Sequence, residues 1–418
     1  MRRFLFLLLT LFSAYHLVGC TSAASENIPT PTAATTLPPP TAEPTAPPTS
    51  TLPPTNTAVA PTETPTPAPI FEMVDDCTLL QPPLLTLPVS DGIRFVDPLS
   101  LAECQMVFLG NGRFDFANLW HDNQVYGVLY ESADTISLVQ LGVDGSHTEL
   151  LSFAGNFHTG NILISPGGES LAWAAGGGRD DRFVASLWLA TTAGDDPHVV
   201  YEVETALTEL MLQIIYPIGF DTSGRILFSL EPNGRGGGWI YSGEYSNLYR
   251  LDPASGAVEE LFSCTEATGP FCINDFTADF AQLAYTNVSQ QAIVIYDLVQ
   301  QTTQQTVVVD SHSFIGRPYF GPNDELAFMA VDVVQEGSQL EPKNGQLGLL
   351  APPYDGPVQW LTTERINEFH GWLDGDNLLY SELLTVPDIV LLVINRDGEI
   401  RNEFRPETSS VRLLPAAP

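Results

Sequence analysis

The chain has 418 residues, of which 44% are hydrophobic and 16% are charged. Fifty acidic residues stand against 16 lysines and arginines, giving a formal net charge of -34, and Lys343 is the only lysine. Nucleic acids and anionic membrane surfaces are bound by clustered lysine and arginine side chains. This balance therefore argues against both as partners.

Residues 1–20 predict a secretory signal peptide. Arg2 and Arg3 precede an apolar run from Phe4 to Phe12, and the segment ends in Leu-Val-Gly-Cys. A run this short before a cleavage site is typical of a signal peptide rather than of a membrane span. The ending resembles a bacterial lipobox, which implies that Cys20 is acylated and anchors the chain to a lipid bilayer. A non-cleaved helix with an incidental cysteine is the alternative.

Residues 21–69 form a linker rich in proline, threonine and alanine, with runs such as LPPPTAEPTAPPTSTLPP. Such a composition offers little to bury and lacks a backbone donor at every proline, so no core is expected. Extended polyproline II at about 3.1 Å per residue is the favoured conformation. We predict a disordered stalk between the signal peptide and a folded region.

The remaining cysteines predict disulfides. Apart from Cys20, the chain contains Cys77, Cys104, Cys264 and Cys272. An even number in an exported chain indicates two disulfides. Of the three possible pairings, the simplest joins Cys264 to Cys272 across a connection between two repeats and leaves Cys77 with Cys104. A zinc site is the competing interpretation, but the spacings contain no CxxC and no histidine lies nearby.

A repeated landmark organises residues 113–405. It consists of a large apolar residue, a tight turn and a strand that ends in an aromatic residue, as in ILISPGGESLAW. Four short strands can be assigned to each repeat of about 50 residues, which predicts an all-β fold, a β-propeller. The residues before the six turns are Trp120, Ile164, Phe220, Phe276, Phe320 and Trp372.

The number of blades has two interpretations. Six landmarks predict six four-stranded blades in residues 113–418, with the non-repeat strands of residues 70–112 packing outside the ring. In the alternative, those strands combine with the C-terminal SVRLLPAA to complete a seventh blade that joins both chain ends. We expect six.

The turn Ser-Pro-Gly-Gly at residues 165–168, followed by Ser-Leu-Ala-Trp, resembles the repeat of TolB-like propellers. The usual form of that repeat is Ser-Pro-Asp-Gly before a strand ending in Ala-Phe. The strand ending recurs at Ala284-Tyr285 and Ala327-Phe328, whereas the Ser-Pro pair occurs only at Ser165-Pro166. With the lipobox, the resemblance implies a TolB-like (WD-like repeat) β-propeller lipoprotein of the bacterial cell envelope.

The usual wiring of a propeller places second-to-third strand loops and inter-blade connections on one face. Long inserts are predicted in three second-to-third loops, at residues 176–184, 231–246 and 331–344, so we expect a binding face there. Arginine and aromatic side chains are favoured anchors at recognition surfaces. The candidates are Arg179, Arg182, Arg235, Trp239, Tyr241 and Tyr245. Alternatively, these loops pack their aromatic residues against a neighbouring blade.

A second set of polar residues is expected near the mouth of the central channel. The set consists of His158, Asp275, Arg317, Glu368 and His370. Such groups are able to hold a metal ion or to act in acid–base chemistry, but their spacing has no ligand signature. We assign no metal, cofactor or catalytic residue.

The sequence lacks a GxSxG nucleophile elbow, and the DGDN at residues 374–377 lacks the later glutamate of a calcium loop, which favours a plain turn. We expect a monomeric, membrane-anchored extracytoplasmic propeller that acts as a non-catalytic binding or scaffold module for an envelope protein, a peptide or a glycan. The alternative is a metal-dependent propeller hydrolase or lactonase whose site lies at the channel mouth.

Overall fold

The computed structural model describes most of the unit that spans residues Thr66–Pro418. The predicted signal peptide, Cys20 and the stalk lie outside the described residues, as do Arg235, Trp239 and Tyr241. No helix in the described part of the chain is long and apolar enough to cross a membrane. The described ranges are 71–75, 77, 80–89, 92–108, 113–121, 124–130, 135–142, 146–154, 157–209, 211–232, 243–309, 312–336, 339–362, 366–385, 388–406 and 412–414.

Seven antiparallel sheets in the described residues form a seven-bladed propeller. Six sheets have four strands each and correspond to the six repeats; we number them blades 1 to 6 in chain order. Blade 1 contains β5 (Arg113–His121), β6 (Gln124–Tyr130), β7 (Thr135–Gly142) and β8 (His147–Ala154); blade 2 contains β9 (Phe157–Ile164), β10 (Ser170–Arg179), β11 (Arg182–Thr191) and β12 (His198–Ala206); blade 3 contains β13 (Gln213–Phe220), β14 (Ile226–Pro232), β15 (Asn247–Asp252) and β16 (Ala257–Ser263). Blade 4 contains β17 (Ile273–Phe276), β18 (Gln282–Asn287), β19 (Ala292–Asp297) and β20 (Thr302–Val308); blade 5 contains β21 (Phe314–Phe320), β22 (Leu326–Glu336), β23 (Gln339–Leu350) and β24 (Gln359–Thr362); blade 6 contains β25 (Ile366–Trp372), β26 (Asn377–Thr385), β27 (Asp388–Asn395) and β28 (Ile400–Phe404).

The seventh sheet, here the closing blade, shows that the prediction of six blades is wrong and that the alternative of seven is correct. It contains β1 (Phe71–Met73), β2 (Leu84–Val89), β3 (Gly92–Val96), β4 (Glu103–Phe108) and β29 (Arg412–Leu414), in the order β1-β4-β3-β2-β29. Leu414 pairs with Leu84 and Arg412 pairs with Thr86. β29 also contacts β5, the first strand of blade 1. First strands of neighbouring blades contact each other in the same way, for example β9 and β13. β29 is therefore the innermost strand of the closing blade. This pairing covers the inner edge of β2 and joins a late strand of the chain to an early one within a single blade.

Each repeat blade contains the same two irregularities. The first strand changes register against the second, for example between Gly316 and Tyr319 in blade 5. All six first strands share this feature, and all six fourth strands show a shift against the third. Bulges of this kind bend a strand and increase its twist. The periodic landmark in the sequence therefore marks a periodic backbone distortion as well.

The core lies between neighbouring blades. Trp173 of blade 2 packs with Ile136 and Leu138 of blade 1, and Phe228 of blade 3 packs with Leu187 of blade 2. Full burial of a large apolar side chain contributes about 1.5 to 3 kcal/mol. Four of the aromatic residues that end a repeat landmark, after its turn, are fully buried: Trp173, Phe228, Phe328 and Tyr380. These residues fasten consecutive sheets together.

Both predicted disulfides are present. Cys77 bonds to Cys104 in the closing blade, and Cys264 bonds to Cys272 in the connection from blade 3 to blade 4. Their Cα atoms lie 5.3 Å and 5.8 Å apart. Because all four sulfur atoms are used in disulfides, the competing zinc site is excluded for them.

Two inserts that were expected as long loops are strand hairpins. β10 and β11 continue until only residues 180 and 181 form the turn, and Asp180 has the left-handed φ of 55° that a tight turn requires. β22 and β23 extend in the same way to residues 336 and 339. Strand pairing satisfies the backbone groups of a long insert, which an open loop leaves to water. In the third insert, residues 233–242 lie outside the described residues.

Candidate functional site

Six polar side chains from four blades lie close together beside the first strands, and we call them the inner-strand cluster. Their proximity is shown by one ion pair, by short contacts and by mutual electrostatic effects on their pKa values. The cluster consists of Glu244 before β15, Asp275 in β17, Arg317 and Tyr319 in β21, and Glu368 and His370 in β25. Three consecutive first strands thus supply five of the six side chains.

Arg317 connects blade 5 to blade 6. Its Nη1 atom lies 2.7 Å from Oε1 of Glu368. The backbone at Arg317 has a φ of 48°, within the bulge of β21, and the next residue is a proline. The left-handed conformation costs an L-residue about 1 kcal/mol, and a following proline restricts the backbone further. Strain of this type clusters at binding and active sites.

Asp275 connects blade 4 to blade 5. The backbone N–H of Phe320 donates a hydrogen bond of 2.7 Å to its Oδ2 atom. Burial raises the pKa of Asp275 to about 7, against the lowering effect of the N–H groups of Phe276 and Phe320, and the charge of Glu244 raises it further. This carboxyl group therefore changes its protonation near neutral pH.

Glu244 reaches the cluster from the predicted insert at residues 231–246. Its backbone N–H donates to the carbonyl oxygen of Ile273 at 2.7 Å, and Tyr245 forms an isolated β-bridge with the same residue. Oε1 of Glu244 lies 3.5 Å from the hydroxyl of Tyr319. Burial, followed by the charge of Glu244, raises the pKa of Tyr319, so the phenol stays protonated and acts as a donor. A second-to-third connection of blade 3 thus contacts first strands of blades 4 and 5.

His370 contributes a buried ring nitrogen. Nε2 has no hydrogen-bond partner among the described residues. Burial lowers the pKa of His370 below its usual value, while Glu368 raises it and Arg317 lowers it. The imidazole is therefore neutral at neutral pH, and its buried Nε2 has a hydrogen-bonding capacity that no described residue uses.

Aromatic rings of neighbouring residues pack into the apolar cores between the blades. The ring of Tyr245 lies 6.4 Å from that of Phe276, and the rings of Tyr319 and Phe369 lie 5.2 Å apart in an edge-to-face arrangement. The indole N–H of Trp372 donates to the carbonyl oxygen of Tyr319 at 3.2 Å. These rings therefore support the strands that carry the cluster from within the cores between blades 3 and 4 and between blades 5 and 6.

Four of the five residues expected at the channel mouth belong to the cluster: Asp275, Arg317, Glu368 and His370. The fifth, His158, lies in β9 of blade 2, where its backbone pairs with Ala175. Sequence reasoning missed Glu244 and Tyr319. The sequence contains a signal for Tyr319, because Tyr319 lies two positions after Arg317 in the same first strand. It contains no such signal for Glu244. Among the described residues, no group of three or more His, Cys, Asp or Glu is arranged to hold a metal ion.

The candidates for the binding face divide into separate groups. Arg179 and Arg182 lie on the blade 2 hairpin, where they pair with Glu202 and Glu204 of β12 at 3.4 Å and 2.6 Å. Exposed ion pairs of this kind contribute little to stability. Tyr245 packs its ring on the apolar core between blades 3 and 4, next to Phe276. The positions of the other three candidates are outside the described residues.

No protein-family model matches the sequence, and a search of curated proteins returns no match. TolB from Acinetobacter baumannii matches with 15% identity over 79% of this chain and 82% of that chain, with a TM-score of 0.39. The solved structure of the periplasmic gluconolactonase of Pseudomonas aeruginosa matches with 12% identity over 80% of this chain and 99% of that chain, with a TM-score of 0.48. The solved structure of an oligogalacturonate lyase from Vibrio parahaemolyticus matches with 10% identity over 75% of this chain and 93% of that chain, with a TM-score of 0.45. These likenesses assign no activity. The propeller fold, which the resemblance to TolB-like repeats implied, is confirmed by the seven sheets themselves.

Proposed function

We propose that this chain is a membrane-anchored extracytoplasmic propeller that binds a protein, peptide or glycan partner without catalysing a reaction on it. The binding site is the inner-strand cluster together with the connection that carries Glu244 and Tyr245. The anchor is an acylated Cys20.

The observation that carries this proposal is the contact between a long connection and the first strands. Glu244 lies 3.5 Å from Tyr319, although the two residues are 75 positions apart in the chain. The hydrogen bond from Gly243 N–H to the Phe271 carbonyl oxygen, at 2.7 Å, fastens the same connection. A loop held on a rigid scaffold is a common location for binding residues. Loop and strand residues therefore meet in one polar cluster.

The extracytoplasmic location is supported by the two disulfides, because disulfides persist in oxidising compartments outside the cytoplasm. The N-terminal sequence adds the signal peptide and the cysteine at position 20.

The binding proposal can be tested by cross-linking the full chain to its partners in intact membranes. We expect the double variant Glu244→Gln, Tyr245→Ala to lose a partner that the unaltered chain captures. The matched control is Val299→Ala, Gln300→Ala, at a third-to-fourth strand turn where Val299 is 79% exposed. Capture that survives the first variant and disappears in the control would contradict the proposed site. A stoichiometric divalent metal that is lost on Glu368→Gln would favour the hydrolase or lactonase alternative instead.

A further inference from the structure

We propose that the inner-strand cluster binds a cationic group of the partner, an ammonium or guanidinium presented by a lysine or arginine side chain of a peptide segment. This inference rests on the proposed binding function and names the chemistry of the ligand.

The charges within the cluster carry the first step. The six residues include three carboxyl groups, those of Glu244, Asp275 and Glu368, against the one guanidinium of Arg317. His370 is neutral because burial lowers its pKa. Carboxyl groups therefore outnumber cations among the six residues, and Asp275 is ionised above about pH 7. An added anion would face this excess charge, whereas an added cation would offset it.

The buried Nε2 of His370 carries the second step. A buried polar atom without a partner costs free energy, and a ligand that supplies the missing hydrogen bond recovers it. In the tautomer with its proton on Nδ1, this nitrogen accepts an N–H. Ammonium and guanidinium groups have several N–H donors, which suits one imidazole nitrogen and the neighbouring carboxylates together.

The arrangement of the donor groups distinguishes an organic cation from a metal ion. Among the described residues, no group of three or more His, Cys, Asp or Glu is arranged to hold a metal ion. An ammonium or guanidinium group instead presents several N–H donors at the end of a long side chain, so it is able to reach carboxyl groups that do not converge on one point.

The test is isothermal titration calorimetry of the full chain in mild detergent with four acetylated, amidated pentapeptides. Each has two glycines on either side of a central lysine, arginine, glutamine or glutamate. At about pH 8 and about 0.15 M salt, where long-range attraction is screened, we expect the lysine and arginine peptides to bind at least about tenfold more tightly than the glutamine peptide. Glu244→Gln and Glu368→Gln should each weaken lysine-peptide binding by about tenfold.

The matched control is Glu259→Gln on β16. Glu259 is an exposed carboxylate that pairs with Arg250 at 2.6 Å, as Glu368 pairs with Arg317, but it lies outside the cluster. Its replacement should leave peptide affinity unchanged. An equal loss in this control would assign the binding to the general negative charge of the protein and overturn the inference.

Equal affinities of the lysine and glutamine peptides, or no binding of either, would also overturn the inference. If Glu244→Gln, Tyr245→Ala still abolishes partner capture in that case, the proposed function stands with a different ligand chemistry. If the unaltered chain captures no partner at all, the proposed function fails as well.

Discussion

Asp275 illustrates how a single residue links the site to the stability of the fold. Its carboxyl group accepts the N–H of Phe320 across the boundary between blades 4 and 5. Burial raises its pKa to about 7. The pKa of an aspartate in an unfolded chain is about 4. Between pH values of about 4 and about 7, the folded chain therefore binds more protons than the unfolded chain. The contribution of Asp275 to the free energy of unfolding therefore decreases as the pH rises from about 4 to about 7 and is constant above that.

Asp275→Asn removes this titration and keeps an oxygen acceptor for the Phe320 N–H. We expect the difference in unfolding free energy between the unaltered chain and the variant to decrease by about 2 kcal/mol between about pH 5 and about pH 8. Urea unfolding at the two pH values measures it. His370 acts in the opposite sense, since its lowered pKa means that stability is lost as the pH falls below about 6.5. That effect is common to both chains, and a difference that stays constant with pH would contradict the burial of Asp275.

Among the elements, β29 has the greatest consequence for its size. It supplies the innermost strand of the closing blade by pairing with β2. Leu413 packs on a buried group that contains Leu85 of the closing blade and Val393 of blade 6. One short strand therefore joins the last repeat to the first part of the folded chain.

A chain that ends after residue 410 lacks β29 and should lose at least about 2 kcal/mol of stability, because the pairing with β2 and the burial of Leu413 disappear. Its thermal midpoint should be several degrees lower in calorimetry. A chain that ends after Leu414 keeps the strand and serves as the control. Identical midpoints for the two truncated chains would show that β29 does not close the ring.

The Cys264–Cys272 disulfide supports the segment next to the site. The N–H of Cys264 donates to the carbonyl oxygen of Ser246 at 2.8 Å, and the N–H groups of Cys272 and Ile273 donate to the carbonyl oxygen of Tyr245 at 3.2 Å and 3.1 Å. The bond closes a loop of nine residues, given its sequence separation of 8. Closing a loop of this size contributes about 3 kcal/mol in the chain-entropy account.

The double variant Cys264→Ser, Cys272→Ser should therefore be less stable by about 2 to 3 kcal/mol in urea unfolding. Non-reducing mass spectrometry of the unaltered chain should find both cysteines in one cross-linked peptide. Cys77→Ser, Cys104→Ser opens a loop with a separation of 27 and should cost more, about 4 kcal/mol. Free thiols at positions 264 and 272 in the unaltered protein would refute the assignment.

At the scale of the whole molecule, the proposed attachment to a membrane does not depend on the folding of the propeller. We propose a lipid on Cys20, whereas the core of the closing blade is built from described residues from Phe71 onward. Removing the lipid should therefore leave the propeller intact.

Cys20→Ser should move the chain from the membrane fraction to the soluble fraction, with an unchanged circular dichroism spectrum and thermal midpoint. Immunoblotting of fractionated cells measures the partition. A variant that still partitions into detergent would show that something other than an acylated Cys20 attaches the chain.

The sequence by itself determined the features that depend on residues close together in the chain. Alternating apolar residues and turn sequences define the strands of six blades, and the short separation of Cys264 and Cys272 favours their pairing. The inner-strand residues Asp275, Arg317, Glu368 and His370 were also recognisable, because each lies in a first strand at a known place in the repeat.

Only the tertiary structure decided the features that join distant segments. The three residues of β29 are too few to show a periodicity, and their strand character comes from pairing with β2 more than 300 residues earlier in the chain. Glu244 meets Tyr319 only because the blades close into a ring. The raised pKa of Asp275 likewise arises from burial between two blades, a property that no local pattern encodes.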